Sequence, residues 1–241
     1  MTNISIVIPA RNEAENIGAL VTAIDAAMRP LGGFEIIVVD DGSTDGTAAT
    51  VRGLDMDHVR VLRHPTSAGQ SAAVHSGVLA ARGNLICTLD GDGQNPPEEL
   101  PKLVAPLLAD TAGVIGLVAG QRVKRQDTWS KKIASRLANG LRGWLLKDGT
   151  RDTGCGLKAF RREAFLALPF FNHMHRYLPA LFARDGWTVA HVDVSHRARG
   201  AGQSNYSNLQ RALVGAVDLL GVAWLLRRRK TAHPLPEDHH V

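Results

Sequence analysis

Two aspartates one residue apart, Asp90 and Asp92, end a short apolar segment and are followed by Gln94 in the run TLDGDGQNPPEEL. On an extended turn, residues i, i+2 and i+4 can direct three oxygen ligands into one space, and hard divalent cations prefer oxygen ligands. Mg²⁺ often takes one or two protein carboxylates and leaves positions for water and substrate phosphates. The run therefore suits a metal ion that carries a diphosphate, and it equally suits a solvated turn that caps the helix after Pro96.

Two further polar clusters each end an apolar segment: PARNE at residues 9–13 and DDGS at residues 40–43. In the second, one carboxylate could accept hydrogen bonds from a nucleobase, or Asp41 or Ser43 could cap the next helix. Glu13 could likewise be a first-turn glutamate that the helix dipole favours. Three polar clusters after three apolar segments favour one shared site over three unrelated turns.

Several other kinds of site lose support because the chain lacks their motifs. The loop after the first apolar segment contains no glycine, so it is not a dinucleotide-binding fingerprint, and the chain holds neither GxxxxGK[ST] nor GxSxG. A calcium loop counted from Asp90 would need Gly and Glu where Asn95 and Pro101 stand. Hydride transfer, P-loop phosphoryl transfer, esterase chemistry and an EF-hand therefore lose support.

Strand-like and helix-like segments alternate along the first half of the chain in the pattern βαβαβαβ. The near-continuous apolar strands are typical of a sheet buried on both faces. In such sheets, ligands bind beyond the carboxyl ends of the strands, where the three clusters lie. We therefore predict an α/β fold with a Rossmann-like, mostly parallel central sheet and helices on both faces. The predicted strands are ISIVIP, EIIVVDD, VRVLRH, LICTLD and VIGLVAGQR; the predicted helices cover about 13–28, the residues after 43, about 70–81, and EELPKLVAPLLAD.

The second half is less regular. Residues 129–146 have the pattern of a basic amphipathic helix, DTGCGLKAFRREAF that of a glycine-rich turn running into a helix, and TVAHVDVSHR that of a strand. Residues 212–226 are apolar apart from Asp218 and precede RRRK. That stretch is shorter than the roughly 20 residues of a spanning helix. A helix docked on the core, an interfacial helix held by the basic run, and a span remain alternatives.

Composition and charge narrow the class of protein. The 241 residues, 44% hydrophobic and 21% charged, suffice for one sizeable core. Cys87 and Cys155 make neither a disulfide framework nor a zinc-like spacing, which favours a reducing compartment, and the N-terminus lacks the pattern of a secretory signal. The net charge of +5, with basic runs at 122–132 and 227–230, suits phosphates or an anionic membrane surface. No nucleic-acid recognition motif is visible, so nucleic acid is not an expected partner.

Seven motifs follow one another between residue 4 and about residue 206: VIPARNEAENI, VVDDGSTDGT, GQSAAVHSGVLAARG, LDGDGQNPPEELPKL, AGQRVKR, DTGCGLKAFRRE and RGAGQSNY. In order and spacing they resemble family 2 glycosyltransferases with the GT-A fold, in particular the polyprenyl-phosphate sugar transferases typified by dolichol-phosphate mannose synthase. The resemblance implies a GT-A domain at 1–206. The pattern of the remaining residues predicts an apolar or amphipathic C-terminal helix at 207–230, at a membrane interface or on the core, and a polar tail at 231–241.

The resemblance assigns most of the polar residues to a nucleotide-sugar donor. Asp90, Asp92 and Gln94 would hold Mg²⁺ or Mn²⁺, with Gly91 near the ribose and diphosphate. Asn205 stands where the family often has lysine, which removes one positive charge from the diphosphate site. The residues implied around the nucleoside are Pro9, Arg11, Glu13, Val39 and Asp41, with Gln70 nearby, and those implied at the diphosphate are Arg176, Arg199 and Asn205.

An acceptor side is also implied. Arg122, with Lys131 and Ser135 on the following helix, matches the region that receives the acceptor's phosphate, and Asp152 matches a loop aspartate near the acceptor. A solvated basic helix face and a turn cap are the alternatives for these residues.

The activity implied is a metal-dependent, inverting transfer of a sugar from GDP-mannose or a UDP-sugar to polyprenyl or dolichyl phosphate. The catalytic residues implied are Asp90, Asp92, Arg122 and Asp152. Access to the lipid is expected at the cytoplasmic face of the membrane, through peripheral attachment or a partner membrane protein. Two alternatives stay open: transfer to a soluble or glycan acceptor with Asp152 as the base, and a non-catalytic module that binds a nucleotide-sugar.

Overall fold

The computed structural model describes residues 3–123, 140, 142–143, 145–146, 148–197 and 208–228. Its strands are β1 Ile4–Ala10, β2 Phe34–Asp41, β3 Val59–His64, β4 Leu85–Thr88, β5 Ile115–Arg122, β6 Lys158–Arg161 and β7 Thr188–Val194. They form one seven-stranded sheet in the order β3-β2-β1-β4-β6-β5-β7. Neighbouring strands run parallel except at β6, which is antiparallel to both β4 and β5. This architecture confirms the predicted α/β class with a mostly parallel sheet.

Helices cover both faces of the sheet, and each face has its own hydrophobic core. The helices are α1 Ile17–Met28, α2 Thr47–Arg52, α3 Gln70–Ala80, α4 Leu100–Ala109, α5 Arg162–Leu166, α6 Leu178–Arg184 and α7 Asn208–Leu226. On one face, α1 and α4 pack against strand residues such as Ile6 and Val38. On the other face, α3, α5 and α6 pack against Val7, Ile37 and Phe160. Because side chains alternate along a strand, β1 and β2 supply both cores, which explains their near-continuous apolar sequences.

Strand β6 is the main difference from the prediction. The sequence pattern predicts a turn that leads straight into a helix, whereas Lys158–Arg161 pairs with β4 and β5 before α5 begins. Its four residues are too few to show a period of two, and both of its ends are charged. The strand forms because two distant strands offer pairing edges on either side. As a result, residues 152–157 lie beside the turn that follows β4.

Helix α1 begins at Ile17, later than the predicted start near Glu13. Asn12 adopts a left-handed φ of 55°. The N–H groups of residues 12–14 donate to side chains of the loop between β2 and α2 and of the first residue of α2, with donor–acceptor distances of 2.9 to 3.1 Å. These bonds hold the start of the predicted helix as a loop. Glu13 therefore precedes the helix and does not belong to its first turn.

Helix α7 has two different sides. Val222 and Ala223 are buried in the second core, whereas Val217, Leu220 and Trp224 are exposed. Within the described ranges, no helix has both the length and the apolar character needed to cross a membrane. Most of the predicted basic helix 129–146 and all of the tail 231–241 lie outside the described residues. The division of the chain at 206 and 230 stays a prediction.

Candidate active site

A cavity of about 280 Å³ lies beyond the carboxyl ends of β1 and β4. The topology of the sheet predicts a ligand at this position. The residues lining it that the sequence predicts for a donor site are Pro9, Gln70, Asp90 and Arg176. Thr88, Lys158, His175 and the turn at residues 153–156 also line the cavity.

Asp90 lines this cavity and is held by two amide side chains. Gln70 Nε2 donates to Oδ1 at 2.7 Å, and Asn95 Nδ2 donates to Oδ2 at 3.2 Å. Gly156 lies directly against the carboxylate, since a Cβ there would be 2.4 Å from Oδ2. The helical segment after the turn takes Pro96 as its N-cap, so Asp90 faces the cavity and does not cap that helix.

The acidic pair carries an electrostatic cost that a cation would remove. Burial raises the pKa of Asp90, repulsion from Asp92 raises it further, and Lys158 and the two amides oppose the rise. Asp92 Oδ1 accepts the N–H of Gln94 at 3.2 Å, which shapes the turn. In the described part of the chain, no three His, Cys, Asp or Glu side chains are grouped to hold a metal ion. The predicted ligand set is two carboxylates and an amide, so substrate and water would supply the remaining ligands.

Gly91 separates the two aspartates and packs against the end of β1. A Cβ at this position would be 3.1 Å from the carbonyl oxygen of Pro9 and 3.3 Å from Cβ of Ala10. The turn therefore lies tightly against the strand, which places the acidic pair at the edge of the sheet.

Arg122, at the end of β5, forms a bidentate ion pair with Asp152. Nε donates to Oδ2 at 2.5 Å and Nη2 donates to Oδ1 at 2.8 Å. Only 14% of the Arg122 side chain and 11% of the Asp152 side chain is exposed. Hydrogen bonding to Asp152 raises the pKa of Arg122. Two residues predicted for the acceptor side thus meet, and both carboxylate oxygens of Asp152 accept hydrogen bonds from the guanidinium.

Lys158 and His175 belong to the cavity wall but not to the sequence prediction. The buried ammonium group of Lys158 donates to the carbonyl oxygen of Cys155. His175 Nδ1 lies 2.8 Å from the hydroxyl oxygen of Ser71. Burial, together with the charges of Lys158 and Arg176, lowers the pKa of His175 to about 3, so its imidazole is neutral near pH 7. Their only signals in the sequence are their places in DTGCGLKAFRRE and HRYLPAL, beside residues already singled out.

The residues predicted around the nucleoside lie on β1, β2 and the loops that follow them. Two hydrogen bonds tie the loop after β1 to the segment after β2: the Thr44 N–H donates to Asn12 Oδ1, and the Glu13 N–H donates to Oγ1 of Thr47 at the start of α2, each at 2.9 Å. Arg11 is exposed. Val39 pairs with Pro9 in the sheet, and it is fully buried in the core. Of Arg11 and Val39, only Arg11 therefore has an exposed side chain.

Asp41 accepts four hydrogen bonds, and these order the loop at residues 66–69. The donors are the Ser67 hydroxyl, the N–H groups of Ala68 and Gly69, and Nδ1 of His64, at 2.7 to 2.9 Å. Burial alone would raise the pKa of Asp41, but these bonds outweigh it and lower the pKa. The N-cap residue of α2 is Gly46, so Asp41 does not cap that helix. Instead, it holds the loop that ends at Gln70, the partner of Asp90.

Four predicted site residues lie outside the described residues: Lys131, Ser135, Arg199 and Asn205. The acceptor-side helix and the basic diphosphate loop RGAGQSNY therefore stay predictions.

A mixed sheet with an antiparallel strand beside β4, and an acidic turn at the carboxyl end of β4, define a GT-A-like α/β protein. A solved structure of glucosyl-3-phosphoglycerate synthase from Mycobacterium tuberculosis has the same fold, with a TM-score of 0.70 and 22% identity over 97% of this chain and 84% of that chain. That enzyme has also been solved in complex with Mn²⁺ and UDP-glucose. At this identity the likeness concerns the fold.

The chain belongs to Glycosyl transferase family 2, whose profile matches residues 5–168. It is 35% identical over 231 residues to the dodecaprenyl-phosphate galacturonate synthase of Rhizobium johnstonii, covering 93% of this chain and 67% of that protein. It is 37% identical over 209 residues to an undecaprenyl-phosphate 4-deoxy-4-formamido-L-arabinose transferase of Enterobacter, covering 85% and 62%. The chain thus spans about two thirds of the length of these curated relatives, and the predicted family is confirmed.

Proposed function

We propose that this chain is a glycosyltransferase that moves a sugar from a nucleotide-sugar to a polyprenyl phosphate. The names of both relatives describe sugar transfer to such a lipid. The observation that carries the proposal is the position of Asp90 in a cavity at the strand ends. The Arg122–Asp152 pair lies close enough for the charge of Asp90 to act on Arg122. The proposed donor is GDP-mannose or a UDP-sugar.

On the donor side, Asp90, Asp92 and Gln94 would hold Mg²⁺ or Mn²⁺. The chemistry that the ion supplies is neutralisation of the negative charge that develops on the departing nucleoside diphosphate. The raised pKa of Asp90 fits this role, because a nearby cation would favour its ionised form. Arg176, exposed at the same cavity, is placed to meet the diphosphate as well.

On the acceptor side, a lipid phosphate is already ionised near pH 7 and needs no strong base to become a nucleophile. The protein then has to position two anions that repel each other. Asp152 supports a reaction without a strong base, because both of its carboxylate oxygens accept hydrogen bonds from Arg122. We assign to Asp152 the orientation of Arg122, and to Arg122 the contact with the acceptor phosphate. This assignment disfavours the alternative in which Asp152 is the base for a hydroxyl acceptor.

Direct attack of the phosphate on C1 opposite the leaving group inverts the anomeric centre. We expect an α-linked nucleotide-sugar to give a β-linked lipid phosphate, which NMR of the isolated product measures through its anomeric coupling. Retained configuration would contradict single displacement.

A panel of labelled donors tests the function. GDP-mannose, UDP-glucose, UDP-N-acetylglucosamine and UDP-galacturonate are each incubated with a short polyprenyl phosphate and Mg²⁺, Mn²⁺ or EDTA, and lipid-extractable label is counted. We expect transfer from one donor class. EDTA should abolish this transfer, and Asp92→Asn should reduce it by about 10²-fold or more while the circular dichroism spectrum of the variant stays that of the wild type. No transfer from any donor, with intact metal-dependent donor binding by calorimetry, would favour a binding module instead.

A further inference from the structure

Lys158 is a buried cation at the wall of the active-site cavity. It is the first residue of β6, opposite Thr88 in β4 and Ala119 in β5, and only 5% of the residue is exposed. Burying an ammonium group is costly unless it is paired and hydrogen-bonded. An ammonium group has three donors. Within the described ranges, that of Lys158 makes one hydrogen bond to protein, to the carbonyl oxygen of Cys155.

Among the described residues, no carboxylate forms a close ion pair with this charge. No described carboxylate oxygen lies within 4.0 Å of Nζ in an ion pair with Lys158, although such pairs occur throughout the fold. Asp90 is hydrogen-bonded by Gln70 and Asn95, and Asp152 by Arg122. Burial raises the pKa of the Cys155 thiol, so it is neutral near pH 7 and is not an anion.

We propose that Lys158 is a substrate-binding residue, whose ammonium group binds an anionic oxygen of the reacting groups: the acceptor's phosphate, or an acidic group on the transferred sugar. The inference rests on the proposed function. Both ligands have the same chemistry, a compact oxyanion that completes the hydrogen bonds of a buried ammonium group.

The position of Lys158 between the two sides of the site supports this role. It shares the cavity wall with Asp90 on the donor side, and its charge interacts with Arg122 and Asp152 on the acceptor side. The charge of Arg122 is already balanced by its pair with Asp152. An acceptor phosphate in this space would therefore depend on a second cation, and Lys158 is buried enough for that interaction to be strong.

The shift in the pKa of Lys158 is consistent with a site that binds an anion. Burial lowers the pKa of Lys158, and the nearby acidic groups Asp90 and Asp152 partly restore it. An oxyanion bound at Nζ would add to this restoration, because an adjacent opposite charge favours the protonated form.

The test compares Lys158→Met, which keeps the length and removes the charge, with Lys158→Arg and with the control Lys102→Met. Lys102 is an exposed lysine on α4 that pairs with Glu99. Calorimetry measures binding of farnesyl phosphate, UDP, UDP-galactose and UDP-galacturonate to each protein, with Mn²⁺ present. KM and kcat are measured separately for donor and acceptor in the proteins that turn over.

We expect Lys158→Met to weaken one anion-bearing ligand by roughly tenfold to a hundredfold, the range for a hydrogen bond to a charged group. Weaker binding of farnesyl phosphate alone identifies the acceptor phosphate. Weaker binding of UDP-galacturonate with unchanged UDP-galactose identifies the sugar's acidic group. Lys158→Arg should restore part of the loss, and Lys102→Met should bind all four ligands like the wild type.

Two results would overturn the inference. Equal affinity of Lys158→Met and wild type for all four ligands would leave Lys158 as a structural partner of the turn at residues 153–156. Equal weakening of UDP and both UDP-sugars would place the ammonium on the leaving diphosphate. Because these are binding measurements, they remain informative if the wild type transfers no sugar, which is the result that would count against the proposed function.

Discussion

Asp90 lies where it does because residue 156 has no side chain. A Cβ at Gly156 would be 2.4 Å from Oδ2 and 2.5 Å from Cγ of Asp90, far inside van der Waals contact. We therefore expect Gly156→Ala to displace the carboxylate and to lower kcat by about 10²-fold, as small misplacements of reacting groups do. Steady-state kinetics with Mn²⁺ measures this. Gly143→Ala is the control, because no described atom lies within 4 Å of a Cβ there. Wild-type kcat in Gly156→Ala would refute the assignment of Asp90.

His175 makes stability depend on pH. Its folded-state pKa of about 3 lies below the value of about 6.5 for an unfolded histidine, so between these values only the unfolded chain binds the proton. The free energy of unfolding therefore falls as pH decreases from about 6.5 towards 3, by at most about 1.4 kcal/mol per pH unit from this group. Urea denaturation of wild type and His175→Gln at several pH values isolates the effect. We expect any stability advantage of the wild type to shrink below pH 6.5; parallel curves would contradict it.

At the scale of residues, the sequence shows chemistry only where several polar groups adjoin in the chain. Asp90, Asp92 and Gln94 stand together in one turn, so their shared space can be predicted. Lys158 and His175 come to the same cavity from β6 and from the segment before α6, and neither belongs to a polar cluster that ends a predicted strand. Their partners are set by tertiary contacts, such as the one between His175 and Ser71, which local spacing does not reveal.

At the scale of elements, the apolar strands were predictable, including the four-residue β4, whereas β6 was not. Strands β1, β2 and β5 have seven or eight residues each and are buried along nearly their whole length, and their apolar sequences show it. Strand β6 has four residues, and its neighbours in the sheet, β4 and β5, are separated from it by long stretches of chain. Burial between two existing edges, not local propensity, determines its conformation. Tertiary contacts also determine where α1 begins. Side chains between β2 and the start of α2 accept the N–H groups of residues 12–14, so the helix does not start earlier.

The packing of α3 on β1 depends on Gly77. A Cβ at this position would be 2.4 Å from Cγ1 of Val7 and 3.1 Å from Cγ2 of Val39. We expect Gly77→Ala to destabilise the fold by about 1–3 kcal/mol, the usual cost of overpacking, despite the better helix propensity of alanine. Chemical denaturation measures the change. The double variant Gly77→Ala with Val7→Ala should recover part of the loss relative to the sum of the single changes, and strict additivity would argue against the contact.

At the scale of the whole molecule, charge and apolar surface coincide on α7. Val217, Leu220 and Trp224 are 70%, 68% and 58% exposed along one side of the helix, and Arg228 lies over the Trp224 ring with its guanidinium carbon 5.7 Å from the centroid. An exposed apolar stripe that ends in aromatic and basic residues is typical of a helix that lies on an anionic membrane. The net charge of +5 adds attraction to such a surface. The interfacial alternative therefore has structural support, and the opposite side of α7 still docks on the core.

Co-sedimentation with vesicles of phosphatidylcholine and phosphatidylglycerol tests this interface. We expect the wild type to bind, and Val217→Asn, Leu220→Asn and Trp224→Asn combined to weaken binding by tenfold or more, because burying even part of three apolar side chains is worth over about 1.4 kcal/mol. Leu79→Asn with Leu108→Asn is the control, since these side chains are 54% and 47% exposed on other helices. Binding should fall with added salt and with neutral lipid, as attraction to a charged surface requires. If the triple variant binds like the wild type, α7 is not the membrane-facing element, and the lipid acceptor must reach the cavity by another surface.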